Sequence, residues 1–255
     1  MALFAGEELG VARISWNGRV LILIGFVALS LAAVFLLSPI PQDQGYHRFA
    51  DGRSLLGIPN FWNVVSNLPF VLIGAAGLRR SGPVSQRVIF LGIFLTGFGS
   101  AYYHWAPSDA TLIWDRLPIT LGFMAILANI IEERVSEKAG AFLLWPLLGL
   151  GVASLLVWRF TDDLRLYGWV QFFPIVALLL LLWLFPPRYT GGANWLVAIG
   201  LYAIGKIFEF FDASVLSAGH LVSGHTLKHL FAAAACFVIL RNFQMRKPLG
   251  AVTRD

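Results

Sequence analysis

Long runs of apolar residues, separated by short polar segments, set the pattern of this chain. Eight runs of roughly 20 residues recur along its length, as expected for membrane-spanning helices. A bilayer core holds no water to hydrogen-bond the backbone, so each run should form a helix. The predicted spans are Val20–Leu37, Phe61–Leu78, Val88–Tyr103, Leu112–Ile131, Ala139–Trp158, Tyr167–Phe185, Asn194–Phe211 and His225–Leu240.

The first run has some features of a signal peptide. However, its apolar core of 18 residues is long for one, and no small-residue cleavage site follows in "LLSPIPQDQ". We therefore interpret this run as a helix of the protein. The whole pattern predicts an all-α membrane protein.

The composition agrees with this prediction. Charged residues make up 13% of the 255-residue chain, whereas a soluble domain carries about 25%. Little sequence remains outside the spans, so no separate extramembrane domain is expected. The single cysteine, Cys236, cannot form an intrachain disulfide, and packing is its expected role.

The net charge of +5 is spread unevenly over the segments that join the spans. Nucleic-acid binding is not indicated, because no basic cluster is interleaved with aromatic residues on a polar segment. One set of loops holds four basic residues, which are Arg48, Arg53, Arg159 and Arg165. The other set, which includes both termini, holds twelve, which are Arg13, Arg19, Arg79, Arg80, Arg87, Arg134, Lys138, Arg188, Arg241, Arg246, Lys247 and Arg254. Both termini are therefore predicted to be cytoplasmic.

Polar residues collect at the span ends that this topology places on the non-cytoplasmic side. Ionisable groups at membrane depth are costly, which makes them functional candidates by default. The motif "GFGSAYYHW" closes the third span, and "IPNFWNVVSNLPF", "LIWDRLPIT" and "GHTLKHL" open the second, fourth and eighth. The residues in this layer are Ser100, His104, Asp115, His225, His229, Asn60, Asn63, Ser66 and Asn67.

The histidines of this layer have a spacing suited to metal binding. His225 and His229 are four residues apart, which puts both imidazoles on one helix face. His104 from another helix would complete three nitrogen ligands with an open position, which is typical of catalytic zinc. Zinc lowers the pKa of its bound water towards 7. Asp115 is then a candidate base for that water, and Ser100 a candidate partner of a developing oxyanion.

Each of these residues also has a structural explanation. Paired histidines are often buried and hydrogen-bonded, and Ser100 can simply allow close helix packing. Asp115 can cap a helix or pair with its neighbour Arg116. His47 and His220 lie in loops, where we expect an ordinary and a solvent-facing residue, respectively. The agreement of three spans in depth nevertheless favours the metal site.

The motifs resemble those of a known family. "NFWNVVSNLPF", "GFGSAYYHWAPSDATLIWDRLPIT" and "GHTLKH" are similar, in order and spacing, to motifs of the alkaline ceramidase family of intramembrane hydrolases. A more distant similarity is to the adiponectin/progestin receptor family. The resemblance implies a seven-helix bundle over residues 60–241. Residues 1–59 would add an extra N-terminal helix and a loop, and residues 242–255 a basic cytoplasmic tail.

The same resemblance implies the chemistry of the site. Zinc would be bound by His104, His225 and His229, with Asp115 as the base and Ser100 as the oxyanion partner. The substrate would be a ceramide-like N-acyl lipid, hydrolysed at its amide to a sphingoid base and a fatty acid. A bacterial cytoplasmic membrane is the expected location, and no obligate protein partner is indicated.

This chain departs from the family pattern at several positions. Arg116 stands where an acidic residue is usual, and Lys228 stands where an aromatic is common. We expect Lys228 to lie off the ligand face, with its stem reaching the interface as a bystander or headgroup contact. Eukaryotic members have an acid-rich calcium site before their first helix. Here that region offers only Asp43 and Asp51, with Asn60 in place of an acid, so Asp51 and Asn60 are at most calcium or structural positions and calcium is not favoured.

Further polar residues are candidates for a supporting role. Lys206 and Glu209 are three residues apart in the seventh span and are expected to form an ion pair. A carboxylate commonly orients a metal-bound histidine, so Glu209 or Asp212 is a candidate for that task. Asn63 and Asn67, in the motif of the second span, are assigned a similar supporting role.

Other functions compete with a zinc amidase. The main alternative is a non-catalytic or weakly hydrolytic zinc protein related to the receptors. Ser100 and Asp115 beside the histidines favour an enzyme, because four protein ligands usually close a structural zinc site. A bis-histidine haem protein is disfavoured, since two histidines on one helix cannot bind opposite faces of a haem. A rhomboid-like serine protease is disfavoured because Ser100 and His104 share a helix.

Overall fold

A computed structural model describes residues 14–80 and 82–250 of the chain. The charges of Arg13 and Arg254 and the outer ends of the predicted terminal segments lie outside the described residues. Within the described part, eight helices are long and apolar enough to cross a membrane. The prediction of an all-α, multi-pass membrane protein is confirmed.

The helices follow the predicted spans closely. In chain order they are α1 (Trp16–Leu36), α2 (Phe61–Val65), α3 (Leu68–Leu78), α4 (Val84–Trp105), α5 (Asp109–Arg134), α6 (Glu137–Thr161), α7 (Arg165–Leu184), α8 (Ala193–Phe210), α9 (Asp212–Gly219) and α10 (Gly224–Met245).

Three features were not predicted. The second span is broken at Ser66 and Asn67, so that α2 and α3 together cover Phe61–Leu78. The short helix α9 and the 3-10 helix Gln44–His47 lie in segments that the hydropathy pattern assigned to loops.

One compact unit of the described chain contains α1, the second part of α5, α6 and α7. Here α1 and α6 both pack against α7. The last backbone carbonyls of a helix have no hydrogen-bond partner within it, and at the end of α7 two arginines supply that partner. Arg19 donates to the carbonyl of Leu184 at 2.9 Å, and Arg134 donates to that of Phe185 at 2.7 Å.

The other compact unit comprises residues 42–122 and 193–245. In it α3 packs along α4, α8 packs along α10, and α2 contacts both α4 and α10. Every residue predicted for the site belongs to this unit. The site can therefore be described entirely within it.

Candidate metal centre

Three histidine side chains converge in the second unit. Nε2 of His104, near the end of α4, lies 3.2 Å from Nε2 of His229 and 3.4 Å from Nε2 of His225. All three residues are buried, and their ligand atoms lie within 4.8 Å of one another. The predicted set of histidines is therefore brought together as a group that can hold a metal ion.

The start of α10 is held close to α8 and α9. A Cβ atom on Gly224 would lie 2.0 Å from the carbonyl oxygen of Phe208, so only glycine permits this approach. Asp212 then accepts a hydrogen bond from the backbone N–H of His225 at 2.7 Å, which caps α10. Asp212 was a candidate for orienting an imidazole, but it holds the backbone of His225 instead.

The ring of His229 is oriented by Ser66, at the break between α2 and α3. Oγ of Ser66 lies 2.7 Å from Nδ1 of His229 and donates its own proton to the carbonyl of Asn63 at 3.2 Å. Nδ1 of His229 is therefore the donor of that pair, and its Nε2 carries the lone pair. That lone pair points at His104.

The ring of His225 is surrounded by charged side chains. Oε1 of Glu209 lies 3.9 Å from Nδ1 of His225, and Nζ of Lys228 lies 2.9 Å from Nε2. Lys228 also donates to Oε1 of Glu209 at 2.8 Å, while Lys206 forms the predicted ion pair with the same carboxylate. The prediction that Lys228 lies off the ligand face is wrong. The lysine is on the face of α10 that carries His225, where Glu209 attracts its ammonium.

These contacts leave the converging nitrogens short of protons. Nε2 of His225 accepts from Lys228, which uses its lone pair, and Nε2 of His229 faces Nε2 of His104. Nδ1 of the buried His104 ring has no hydrogen-bond partner among the described residues, whichever ring nitrogen carries the proton. A cation between the rings would engage one nitrogen of each histidine once Lys228 has moved from His225.

Ser100 and Asp115 also meet, at the contact between α4 and α5. Both are buried, and the Ser100 hydroxyl forms a hydrogen bond with the Asp115 carboxylate. A Cβ atom on Gly99 would lie 1.9 Å from the carbonyl oxygen of Trp114, so glycine lets the two helices touch at this point. Asp115 is in the second turn of α5 and does not cap its start.

The neighbour of Asp115, Arg116, is buried as well. It donates from Nη2 to Oε1 of Gln42 at 2.7 Å, and its guanidinium carbon is 5.7 Å from the ring centroid of Tyr46. The departure from the family pattern at Arg116 thus places a positive charge beside the candidate base. It also ties α5 to the segment before α2.

The asparagines of the second span brace the histidines from behind. Oδ1 of Asn63 accepts from Thr226 at 2.8 Å, and Nδ2 of Asn67 donates to the Asn63 carbonyl at 2.8 Å. Asn60 donates from Nδ2 to the carbonyl of His104 at 2.8 Å. These side chains hold backbone and helix positions, and the hydrogen bonds described here do not involve an imidazole nitrogen.

Residues 42–60 run over the histidine cluster. The ring of Phe49 lies 4.7 Å from that of His104 and 4.9 Å from that of His225, measured between centroids. Ala50 donates its N–H to Oδ2 of Asp212 at 2.9 Å. The segment thereby shields one side of the site, a role with no signal in the local sequence.

Asp51, a candidate calcium or structural position, is paired with Arg53. Nε and Nη2 of Arg53 contact the two carboxylate oxygens at 2.8 and 2.6 Å, and Nη2 also donates to the carbonyl of Leu221 at 2.6 Å. Hydrogen bonding from Arg53 lowers the pKa of the Asp51 carboxyl. The guanidinium of Arg53 therefore binds the carboxylate that a calcium ion would need, which supports a structural role for Asp51.

The two remaining histidines lie apart from the cluster. His220 is exposed, as predicted, at the end of α9. His47 is half-buried and bridges two side chains, with Nδ1 3.0 Å from the Tyr103 hydroxyl and Nε2 3.0 Å from Oδ1 of Asp109. The prediction of an ordinary loop residue missed this bridge, which depends on partners 56 and 62 residues away.

Fold and site together define the class: a multi-pass α-helical membrane protein with a buried histidine group that can hold a metal ion. The Ceramidase family model matches residues 57–185, just over half of the chain, and the chain belongs to this family. The match includes Ser100, His104 and Asp115 and ends before α8. No curated protein matches the sequence.

Proposed function

We propose that this protein is a zinc-dependent intramembrane amidohydrolase that cleaves the amide bond of ceramide-like lipids. Its products would be a sphingoid base and a fatty acid. Membership of the ceramidase family supports a lipid amide as the substrate, and the buried histidine group supports a metal-dependent reaction.

The spacing of the histidine nitrogens carries the proposal. Ligand nitrogens about 2.0–2.1 Å from a tetrahedral zinc ion stand about 3.3–3.4 Å from each other. The Nε2 separations from His104 to His229 and to His225 are 3.2 and 3.4 Å. Three nitrogens in this arrangement leave a fourth position for water or substrate, as in catalytic zinc sites.

A bound zinc ion supplies a Lewis acid that makes water a nucleophile near neutral pH. Asp115 takes the proton released as water adds to the amide carbonyl. Its carboxylate is pre-oriented by the hydrogen bond from Ser100. Once Asp115 is protonated it can donate to Oγ of Ser100, which frees the serine O–H to turn to the developing oxyanion.

The proton on Asp115 then has a second use. Cleavage of the C–N bond requires the leaving nitrogen to gain a proton, and a carboxylic acid beside the site can return the one it took. The sum is the addition of one water across the amide. Asp115 ends the cycle as the carboxylate with which it began.

A lipid substrate also suits the proposed membrane topology. The charge asymmetry supports cytoplasmic termini and a site near the non-cytoplasmic face, in what we infer to be a bacterial cytoplasmic membrane. The amide of a ceramide lies near the headgroup level, where this layer of polar residues would be. Residues 60–241 would form the catalytic bundle, with the first helix outside it.

Metal analysis of the purified protein, together with hydrolysis of labelled ceramides, tests the proposal. We expect about one zinc per chain in the wild type, and loss of both zinc and turnover in His229→Ala. His220→Asn is the matched control, since His220 is exposed and asparagine tolerates its backbone φ of 55°. A folded wild type without metal would overturn the proposal. Zinc without turnover of any N-acyl lipid would favour a receptor-like protein.

A further inference from the structure

Lys228 is the charged residue closest to the proposed ligands that the hydrolytic mechanism does not use. Its ammonium is held between Glu209, at 2.8 Å, and Nε2 of His225, at 2.9 Å. The side chain is 18% exposed. It therefore lies beside the reaction centre and is not fully enclosed by protein.

The contact with His225 cannot coexist with metal binding. A neutral imidazole has one acceptor nitrogen with a single lone pair, which can accept a proton donor or bind a metal but not both. When His225 acts as a ligand, one N–H donor of Lys228 is released next to the metal. Glu209 still anchors the ammonium, so the released donor stays at the site.

The local charge favours an anion as the next partner of that donor. Lys206 and Lys228 both bind the carboxylate of Glu209, so the three side chains together carry a net charge of +1. Removing an ammonium from water without an anionic partner is costly, and a second carboxylate would supply one.

We propose that Lys228, anchored by Glu209, binds the carboxylate of the fatty-acid product while the histidines hold the metal. This inference rests on the proposed function, since amide hydrolysis creates that carboxylate next to the metal. Water adds to the acyl carbon, the C–N bond breaks, and the amine leaves with a proton. The acid released ionises to the carboxylate that pairs with the ammonium.

Fatty-acid binding to the zinc-loaded, full-length protein in detergent tests the assignment without measuring turnover. Palmitate and 1-hexadecanol have the same chain and differ in the charged end. We expect wild type to bind palmitate about tenfold or more tightly than the alcohol, because a charge-assisted hydrogen bond is lost in the alcohol. Lys228→Met should reduce this preference to the part that the open position of the zinc supplies, and Lys228→Arg should retain it.

Lys206→Met is the matched control. It removes the same charge from the same cluster, but Lys206 bonds to Glu209 whereas Lys228 also bonds to His225, and most of the preference should remain. The assignment is overturned if Lys228→Met still prefers palmitate as the wild type does. It is also overturned if Lys206→Met loses as much of the preference, since general positive charge would then explain binding.

Zinc affinity provides a second measurement. Because the ammonium competes for Nε2 of His225, Lys228→Met should bind zinc more tightly than wild type in a chelator competition. Weaker zinc binding in Lys228→Met would contradict the competition. A zinc-loaded protein that binds palmitate through Lys228 but hydrolyses no N-acyl lipid would refute the proposed function and leave the carboxylate site standing. Hydrolysis of an N-acyl lipid by the wild type, together with an unchanged palmitate preference in Lys228→Met, would support the proposed function and refute the carboxylate site.

Discussion

Nε2 of His104 lies 3.2 Å from Nε2 of His229, although 125 residues separate them in the chain. The fold holds the backbone of His104 and the ring of His229. The carbonyl of His104 is held by Asn60, and Nδ1 of His229 is held by Ser66. The two nitrogens are thus brought together by the positions of their helices.

The hydrogen bond from His229 to Ser66 should tune metal affinity. Ser66→Ala removes the acceptor of Nδ1, so the ring loses its orientation and part of its basicity. We expect zinc affinity to fall about 10–100-fold, measured by competition with a chromophoric chelator. Ser154→Ala is the control, because Ser154 is equally buried but bonds only within α6. Unchanged affinity in Ser66→Ala would exclude an orienting role.

Ser100 and Asp115 should act as one unit in catalysis. We expect kcat to fall about 10²–10⁴-fold in Asp115→Asn and about 10²–10³-fold in Ser100→Ala, with zinc content retained. The double variant should lose less than the product of the two effects, because the side chains share a hydrogen bond. Asp109→Asn, at the half-buried start of α5, should keep its kcat. Independent, multiplying effects would argue against proton movement between Asp115 and Ser100.

The contact of α4 with α5 at Gly99 should be sensitive to a single methyl group. In Gly99→Ala the new Cβ would lie 1.9 Å from the Trp114 carbonyl oxygen, so the helices must separate. We expect a loss of at least about 1–3 kcal/mol in stability, seen as a lower Tm in detergent. Gly149→Ala should have little effect, because no atom lies within 4 Å of its Cβ. An unshifted Tm in Gly99→Ala would mean that the contact is looser than described.

The pair of Asp51 and Arg53 should make the segment of residues 42–60 sensitive to acid. The pKa of Asp51 is lowered in the folded protein, so its stabilising contribution is complete above the carboxyl's ordinary value of 3.8. It is lost as the pH falls through the lowered value. The protection of residues 42–60 against hydrogen exchange, relative to the intrinsic rate at each pH, should therefore fall below about pH 4 in wild type.

In Asp51→Asn that exchange should already be fast at neutral pH, without the acid transition. Asp163→Asn is the matched control, because Asp163 has the same pairing with an arginine two residues on, and its pKa is lowered to about 2 by Arg165. Its substitution should leave exchange of residues 42–60 unchanged. Equal exchange in Asp51→Asn and wild type would rule out a role for the Asp51–Arg53 pair in holding residues 42–60.

The proposed orientation can be measured with single cysteines. In a Cys236→Ser background, Leu221→Cys should react with an impermeant maleimide from the non-cytoplasmic side. Met245→Cys, at the end of α10, should react only after the membrane is permeabilised. Both positions are exposed in the structure. The reverse pattern would invert the topology and move the site to the cytoplasmic face.

Hydropathy was sufficient to predict the helices, because a spanning segment must be long, apolar and hydrogen-bonded within itself. The same reasoning could not find the break at Ser66 and Asn67 or the helix α9. The break falls at the adjacent polar residues Ser66 and Asn67, just before Pro69, in a run that is still apolar enough overall to be predicted as one span. α9 is only eight residues long and does not cross the membrane.

Of the site, the histidines at positions 225 and 229 were predictable because residues one turn apart share a helix face. His104, Ser100 and Asp115 were predicted to join them from a common depth and from the family motifs. The convergence of the three histidines and the hydrogen bond between Ser100 and Asp115 are now structural observations, while the catalytic roles are proposals. The position of Lys228 was predicted wrongly, because helix geometry alone does not account for its ion pair with Glu209 on α8.

The sequence by itself determined the class of protein, the number of spans and which residue types could do chemistry, because these depend on local polarity and spacing. Only the tertiary structure decided which nitrogen of His229 faces the centre, that Gly99 lets Ser100 meet Asp115, and that Lys228 reaches His225. Those relationships depend on distances between helices and on hydrogen-bond partners far apart in the chain. No local pattern of residues encodes such distances.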